Sequence, residues 1–161
     1  VALRSAVRIM KARGAHAGKR EGGEETKESV VSVLSAGVPV MGQLGLTPQS
    51  IYKFGTYTVR AKEEEEAEKL IRDAKILEAC GVFAIVLEKI PAQLAKKVSE
   101  ELTIPTIGIG AGPDADGQVL VVHDMLGLTH EFKPRFLRRY AVMHEVMTGA
   151  VKDFINDDKD R

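Results

Sequence analysis

The chain has 161 residues, enough for one domain with its own core, and its 23 basic and 23 acidic residues cancel. That balance leaves no excess positive charge for nucleic acid or an anionic membrane surface, and no run approaches the roughly eighteen apolar residues of a membrane helix. The single Cys80 excludes an internal disulfide framework and a cysteine-based zinc site, and favours a reducing, cytoplasmic setting.

Leu3, Ala6, Val7 and Met10 recur at helical spacing, so Val1 to Arg13 is predicted to be a helix stopped by Gly14. The chain opens into this amphipathic pattern with no initiator Met and no apolar signal region, and reads as one whose front is missing. A first short strand is predicted over Ala15–Arg20, running into the glycine turn at Gly22 and Gly23. Lys19 and Glu21 are two apart, which puts both on one face of an extended segment. A cation and an acid on one face can hold an anionic substrate beside a metal; the plainer alternative is a surface ion pair, worth little. His16 has no near partner in the sequence and reads as packed or solvated rather than as a ligand.

Thr26 to Ala36 follows as a helix stopped by Gly37, and Val38–Gly42 as a short buried strand. The stretch Gln43 to Ser50 is rich in turn formers and reads as a loop that can carry function, and Tyr52 to Ala61 as an extended excursion. Glu63 to Cys80 is a helix by the spacing of Ala67, Leu70, Ile71, Ala74 and Leu77, with an acidic first turn that suits the helix dipole. Val82–Leu87 is six apolar residues bounded by Gly81 and Glu88, which reads as a strand buried on both faces.

Pro91 opens a further helix to about Leu102, and Pro105–Ile109 runs as a strand into alternating glycines at Gly108, Gly110 and Gly112. That turn lacks the dinucleotide fingerprint and the lysine of a nucleotide-binding P-loop. Gln118–His123 is predicted to be a fifth buried strand. His123 and Asp124 are neighbours and would face opposite ways on a strand, which argues against a direct acid–base dyad. Phe132 to Tyr140 and Val142 to Ile155 read as closing helices, and Asp157 to Arg161 as a frayed tail.

Strands alternating with helices make a parallel α/β sheet, in which chemistry collects at the carboxyl ends of the strands. Glu88 sits at such an end, where an ionised carboxylate needs water, a cation, a metal or a substrate to compensate it. The alternative is that it marks only where the strand reaches solvent, paired with Lys89. The whole of 1–161 reads as a single domain, either a small open sheet or the later part of a (β/α)8 barrel with three strands absent.

Several blocks, in order, resemble one family: Lys19-Arg20-Glu21-Gly22-Gly23, Pro39 to Ser50, Val86-Leu87-Glu88, Pro105 to Gly112, and Asp116 to Asp124 with Phe132 to Phe136. Together they are similar to ketopantoate hydroxymethyltransferase. The resemblance implies a (β/α)8 TIM barrel, of which this chain would be the C-terminal portion, covering about five of the eight units. It implies a Mg²⁺-dependent, aldol-type step of pantothenate synthesis, in which 5,10-methylenetetrahydrofolate gives one carbon to 3-methyl-2-oxobutanoate and 2-dehydropantoate is made. By motif position, Glu88 is expected to be the base that removes the C3 proton, Lys19 to bind the substrate carboxylate, and Glu21 to belong to the magnesium shell. A homo-oligomer is implied, with the keto acid and the folate as its small-molecule partners, and no nucleic acid or membrane.

Three positions depart from the family pattern: Gln43 stands where His is usual, and Gly18 and Arg20 replace apolar residues beside the lysine. Arg20 would be awkward on an inward face. The family's two principal metal-binding Asp residues belong to earlier strands, so this chain alone is expected not to turn over like a full-length relative. The alternative functions are a truncated, catalytically incompetent relative kept as a structural or oligomer-forming partner, and a related barrel enzyme acting on another α-keto acid.

Overall fold

The computed structural model describes residues 1–46, 59–131, 134 and 136–159. The chain forms two compact units, Val1–Val119 and Leu120–Arg161. The loop and excursion expected after Leu46 fall mostly on 47–58, outside the described residues.

The first unit is a five-stranded sheet in the order β1-β2-β3-β4-β5, with every neighbouring pair parallel. The strands are β1 Gly18–Glu21, β2 Val40–Gly45, β3 Ala84–Glu88, β4 Thr106–Ile109 and β5 Gly117–Gln118. Helices α1 Ala2–Arg13, α2 Lys27–Ser35, α3 Glu64–Cys80 and α4 Ala92–Glu101 precede β1, β2, β3 and β4 in turn, and β4 runs to β5 with no helix between. Sequential parallel strands, the first four joined by helices, are the arrangement of one arc of a (β/α)8 barrel, and β1 and β5 are the outer strands among the described residues.

The helices form where the apolar spacing places them. Gly14 ends α1 at φ 61° and Gly81 ends α3 at φ 97°, conformations in which a Cβ is strained. Val30 and Val33 of α2, Leu70, Ala74 and Leu77 of α3, and Leu94, Ala95 and Val98 of α4 form one buried cluster with Val40, Leu44, Ile85 and Leu87 of the sheet. The parity of β2 follows from that core. A Cβ on Gly42 would meet Leu77 of α3, so Val40, Gly42 and Leu44 face the helices, and Met41 and Gln43 face the other way. Register carries the second face across the sheet: Lys19 pairs with Met41, Glu21 with Gln43, Gln43 with Val86, and Glu88 with Gly45 and Ile109.

Several sequence expectations are corrected here. The first strand is shifted from Ala15–Arg20 to Gly18–Glu21, so Glu21 lies in the ladder and Arg20 is exposed on the face opposite Lys19, not turned inward. The second strand runs past Gly42 to Gly45, because its hydrogen bonding with β3 continues to Glu88; Gln43 is a strand residue and not the start of a loop. The third strand begins at Ala84, and Phe83 is 43% exposed although it belongs to the apolar run. The fifth strand ends at Gln118; Val119, Val121 and Val122 are exposed, since beyond Gln118 only the Val119 N–H continues the pairing, to the Gly108 carbonyl.

In the second unit, His123 and Asp124 lie in the short helix α5, Val122–Met125, not on a strand. No helix forms over residues 136–140 or at Pro134; Phe132, Lys133 and Arg135 lie outside the described residues. The segment is instead tied by single bonds, including Tyr140 N–H to the Met125 carbonyl and the Arg139 guanidinium to the Thr129 carbonyl. The last helix, α6, is Met143–Lys159, so helix replaces the expected fraying at Asp157 to Lys159. No helix among the described residues is long and apolar enough to cross a membrane.

Candidate functional site at the carboxyl ends of the strands

The face of the sheet turned away from α2, α3 and α4 carries Lys19 and Glu21 from β1, Gln43 from β2 and Glu88 from β3. Lys19 is exposed, Glu21 and Glu88 are partly buried, and Gln43 is 1% exposed. Lys19, Glu21 and Glu88 are distant in sequence and meet here because parallel strands in register present residues of one parity to one side.

Their fields reach one another. Burial is the largest influence on Glu88 and pushes its carboxyl up; the Lys19 ammonium pulls it back down, the Glu21 carboxylate pushes it up, and Lys89 pulls it down. The net is a carboxyl raised above the usual value of 4.5, in a group that also accepts a 2.7 Å hydrogen bond from Gln43 Nε2 on Oε2. A desolvated carboxylate of this kind is a stronger base than one in water.

The backbone around Glu88 is closely held. Its carbonyl accepts from Leu46 N–H at 2.9 Å, and Lys89 N–H donates to the Ile109 carbonyl at 2.9 Å. Lys89 has φ 48°, an unusual value for a residue with a side chain, and its carbonyl accepts from Arg60 N–H at 2.8 Å. The bonds on both sides over-determine that conformation and fix the direction in which Glu88 leaves the strand.

The turn after Glu21 is held with similar care. Asp73 of α3 is 6% exposed and accepts from Glu24 N–H at 3.1 Å, and Thr26 donates its hydroxyl to the Gly23 carbonyl at 2.9 Å. A Cβ on Gly23 would lie 2.1 Å from Asp73 Cγ, so only glycine lets the turn close against α3.

Sequence reasoning singled out Lys19, Glu21 and Glu88, and the fold brings all three to one face. It marked Gln43 only as a departure from the family pattern, with no role at the site, and it missed Asp73. Gln43 falls in a turn-rich stretch of sequence, and its spacing of two from Met41 puts it on the same face of the strand once the strand continues past Gly42. Asp73 lies mid-helix, and nothing in its immediate sequence distinguishes it from a solvated acid. His16 and His123 join no cluster: no group of three His, Cys, Asp or Glu residues positioned to hold a metal ion occurs among the described residues.

Comparison with known proteins matches all of residues 1–161 to the family described as ketopantoate hydroxymethyltransferase. The chain is 70% identical over 160 residues to a 3-methyl-2-oxobutanoate hydroxymethyltransferase of Christiangramia forsetii, covering 99% of this chain and 59% of that protein. It is 67% identical to the proteins of the same name from Flavobacterium johnsoniae and Cytophaga hutchinsonii, covering 58% and 59% of them. It thus spans somewhat under three fifths of the length of these relatives. A family match over every residue, with identity this high, means that the chain belongs to the ketopantoate hydroxymethyltransferase family.

Proposed function

We propose that the chain carries the carboxyl-terminal share of a hydroxymethyltransferase site that makes 2-dehydropantoate from 3-methyl-2-oxobutanoate and 5,10-methylenetetrahydrofolate. The observation that supports this reading best is the common face of Lys19, Glu21 and Glu88, with burial raising the Glu88 carboxyl. Lys19 is the cation for the substrate carboxylate. Glu88 is the base: the C3–H bond breaks, the proton passes to the carboxylate, and the electron pair enters the C2–C3 bond as the enolate forms. Water releases the one-carbon unit as formaldehyde, with both carbon–nitrogen bonds broken and tetrahydrofolate leaving; carbon 3 then attacks the formaldehyde carbon, whose oxygen takes up the proton and becomes the product hydroxyl.

The donor set fits a share in a magnesium site. Mg²⁺ takes one or two carboxylates and fills its remaining positions with water and substrate oxygens, and Glu21, at the end of β1, is a hard oxygen donor on the correct face. When bound, the ion would polarise the keto group and stabilise the enolate. Glu21 is the residue of this chain proposed to hold it.

The test is exchange of the C3 proton of 3-methyl-2-oxobutanoate with solvent in D2O containing Mg²⁺, followed by NMR. The expected result is slow exchange that is lost in Glu88→Gln, with product formation far below that of a full-length relative. Exchange that persists in Glu88→Gln would overturn the assignment of the base.

Binding of the keto acid with no Glu88-dependent exchange would instead select the alternative, a structural partner without turnover.

A further inference from the structure

Gln43 is a neutral amide buried to 1% exposure in the middle of β2, on the face that carries Glu88. Its Nε2 donates to Glu88 Oε2 at 2.7 Å. Its Oε1 is buried and has no hydrogen-bond partner among the described residues. A buried amide normally satisfies both ends, so one that leaves its acceptor unmet holds its donor where it is for a reason outside packing. The orientation is forced while Glu88 is ionised: turned over, the amide would set Oε1 against a carboxylate oxygen.

The rest of Glu88 is already fixed. The Leu46 N–H on its carbonyl and the Lys89 N–H on Ile109 hold its backbone from both neighbouring strands. The freedom that remains is rotation of the side chain, and a single charge-assisted bond to one carboxylate oxygen removes it.

We propose that Gln43 is a positioning residue for the Glu88 base: it holds Oε2 and leaves Oε1 as the oxygen that takes the substrate proton. This rests on the assignment of Glu88 above. In the step, the C3–H bond breaks, the proton goes to Oε1, and the electron pair enters the C2–C3 bond as the C2=O π pair moves onto the keto oxygen. Because an amide does not titrate in the working range, Gln43 remains a donor at every pH at which Glu88 is ionised.

The test compares wild type, Gln43→Leu, Gln43→His and Glu88→Gln in the C3 exchange assay, with kcat and KM determined separately. Gln43→Leu keeps the bulk and removes the donor; it is expected to lower kcat roughly 10- to 100-fold and to change KM less than about twofold. Gln43→His retains a ring N–H and is expected to recover a substantial part of that loss. In parallel, the side-chain ¹⁵N–H signals of Gln43 are expected to shift in Glu88→Gln.

Gln43→Leu with unchanged kcat, while Glu88→Gln is inactive, would overturn the positioning role and leave the base assignment standing. Gln43→Leu and Gln43→His slowed equally would assign the loss to packing and overturn it too. Amide signals indifferent to Glu88→Gln would overturn it without reference to activity. Wild-type protein with no Glu88-dependent exchange would overturn the base assignment and this inference with it.

Discussion

Gly45 and Glu88 face one another across the β2–β3 ladder with no space between them: a Cβ on Gly45 would lie 2.1 Å from the Glu88 carbonyl oxygen. Gly45 is at φ 96°, and the next residue, Leu46, donates its N–H to that same carbonyl. Gly45→Ala therefore meets both a backbone strain and a backbone collision, and the collision is relieved only by moving the strand end that carries Glu88. The expected loss of stability is about 2–4 kcal/mol, measured by urea unfolding, with loss of Glu88-dependent exchange in the protein that still folds. A loss under about 0.5 kcal/mol would show that the strand end gives way freely.

Asp73 and Lys69 lie one turn apart on α3 and are ion-paired, but they differ in what their loss should cost. Asp73 is buried and receives the Glu24 N–H, so Asp73→Ala leaves a polar group unsatisfied in the turn after Glu21 and is expected to cost about 1–3 kcal/mol. The Lys69 side chain is 55% exposed, so Lys69→Ala is expected to cost at most about 1 kcal/mol. Chemical denaturation of the two variants checks the order; equal losses would assign the effect to the ion pair.

Glu88 gives the stability of the fold a pH dependence of definite sign. Its carboxyl is raised in the folded chain, chiefly by burial, so the folded state holds this proton more tightly than the unfolded state. Its contribution is then fully favourable below the unfolded value of about 4.5 and is lost as pH rises through the higher folded value. Glu88→Gln should be more stable than wild type above that window and equal to it below. Denaturation midpoints of the two proteins across pH 4 to 8 test this; a difference that does not change with pH would rule out the raised carboxyl.

The fold was legible where composition and period spoke together. Apolar runs bounded by glycine, separated by amphipathic segments such as Glu64–Cys80, sufficed for the parallel order of the sheet. The common parity of Lys19 and Glu21 needed only their spacing, and Glu88 needed only its place where an apolar strand stops. The failures lie where burial is decided by a neighbour. Val119, Val121 and Val122 are as apolar as the core but exposed, because β5 stops at Gln118 and the second compact unit begins at Leu120. Gln43 sits between glycines in a stretch that resembles a turn, and only pairing with β3 makes it a strand residue facing Glu88. Asp73 acquires its role from a turn about fifty residues earlier in the chain, a relation that no local pattern carries.

The most direct measurement is a titration of isotopically labelled protein with 3-methyl-2-oxobutanoate in the presence of Mg²⁺, followed by NMR of the Lys19, Glu21 and Glu88 side chains. Convergence of these groups on one ligand requires all three to shift with a single binding curve, and requires Lys19→Met to weaken that curve at least about tenfold, as loss of a charge-assisted contact to a carboxylate does. Binding that perturbs none of the three, or that Lys19→Met leaves unchanged, would contradict the account.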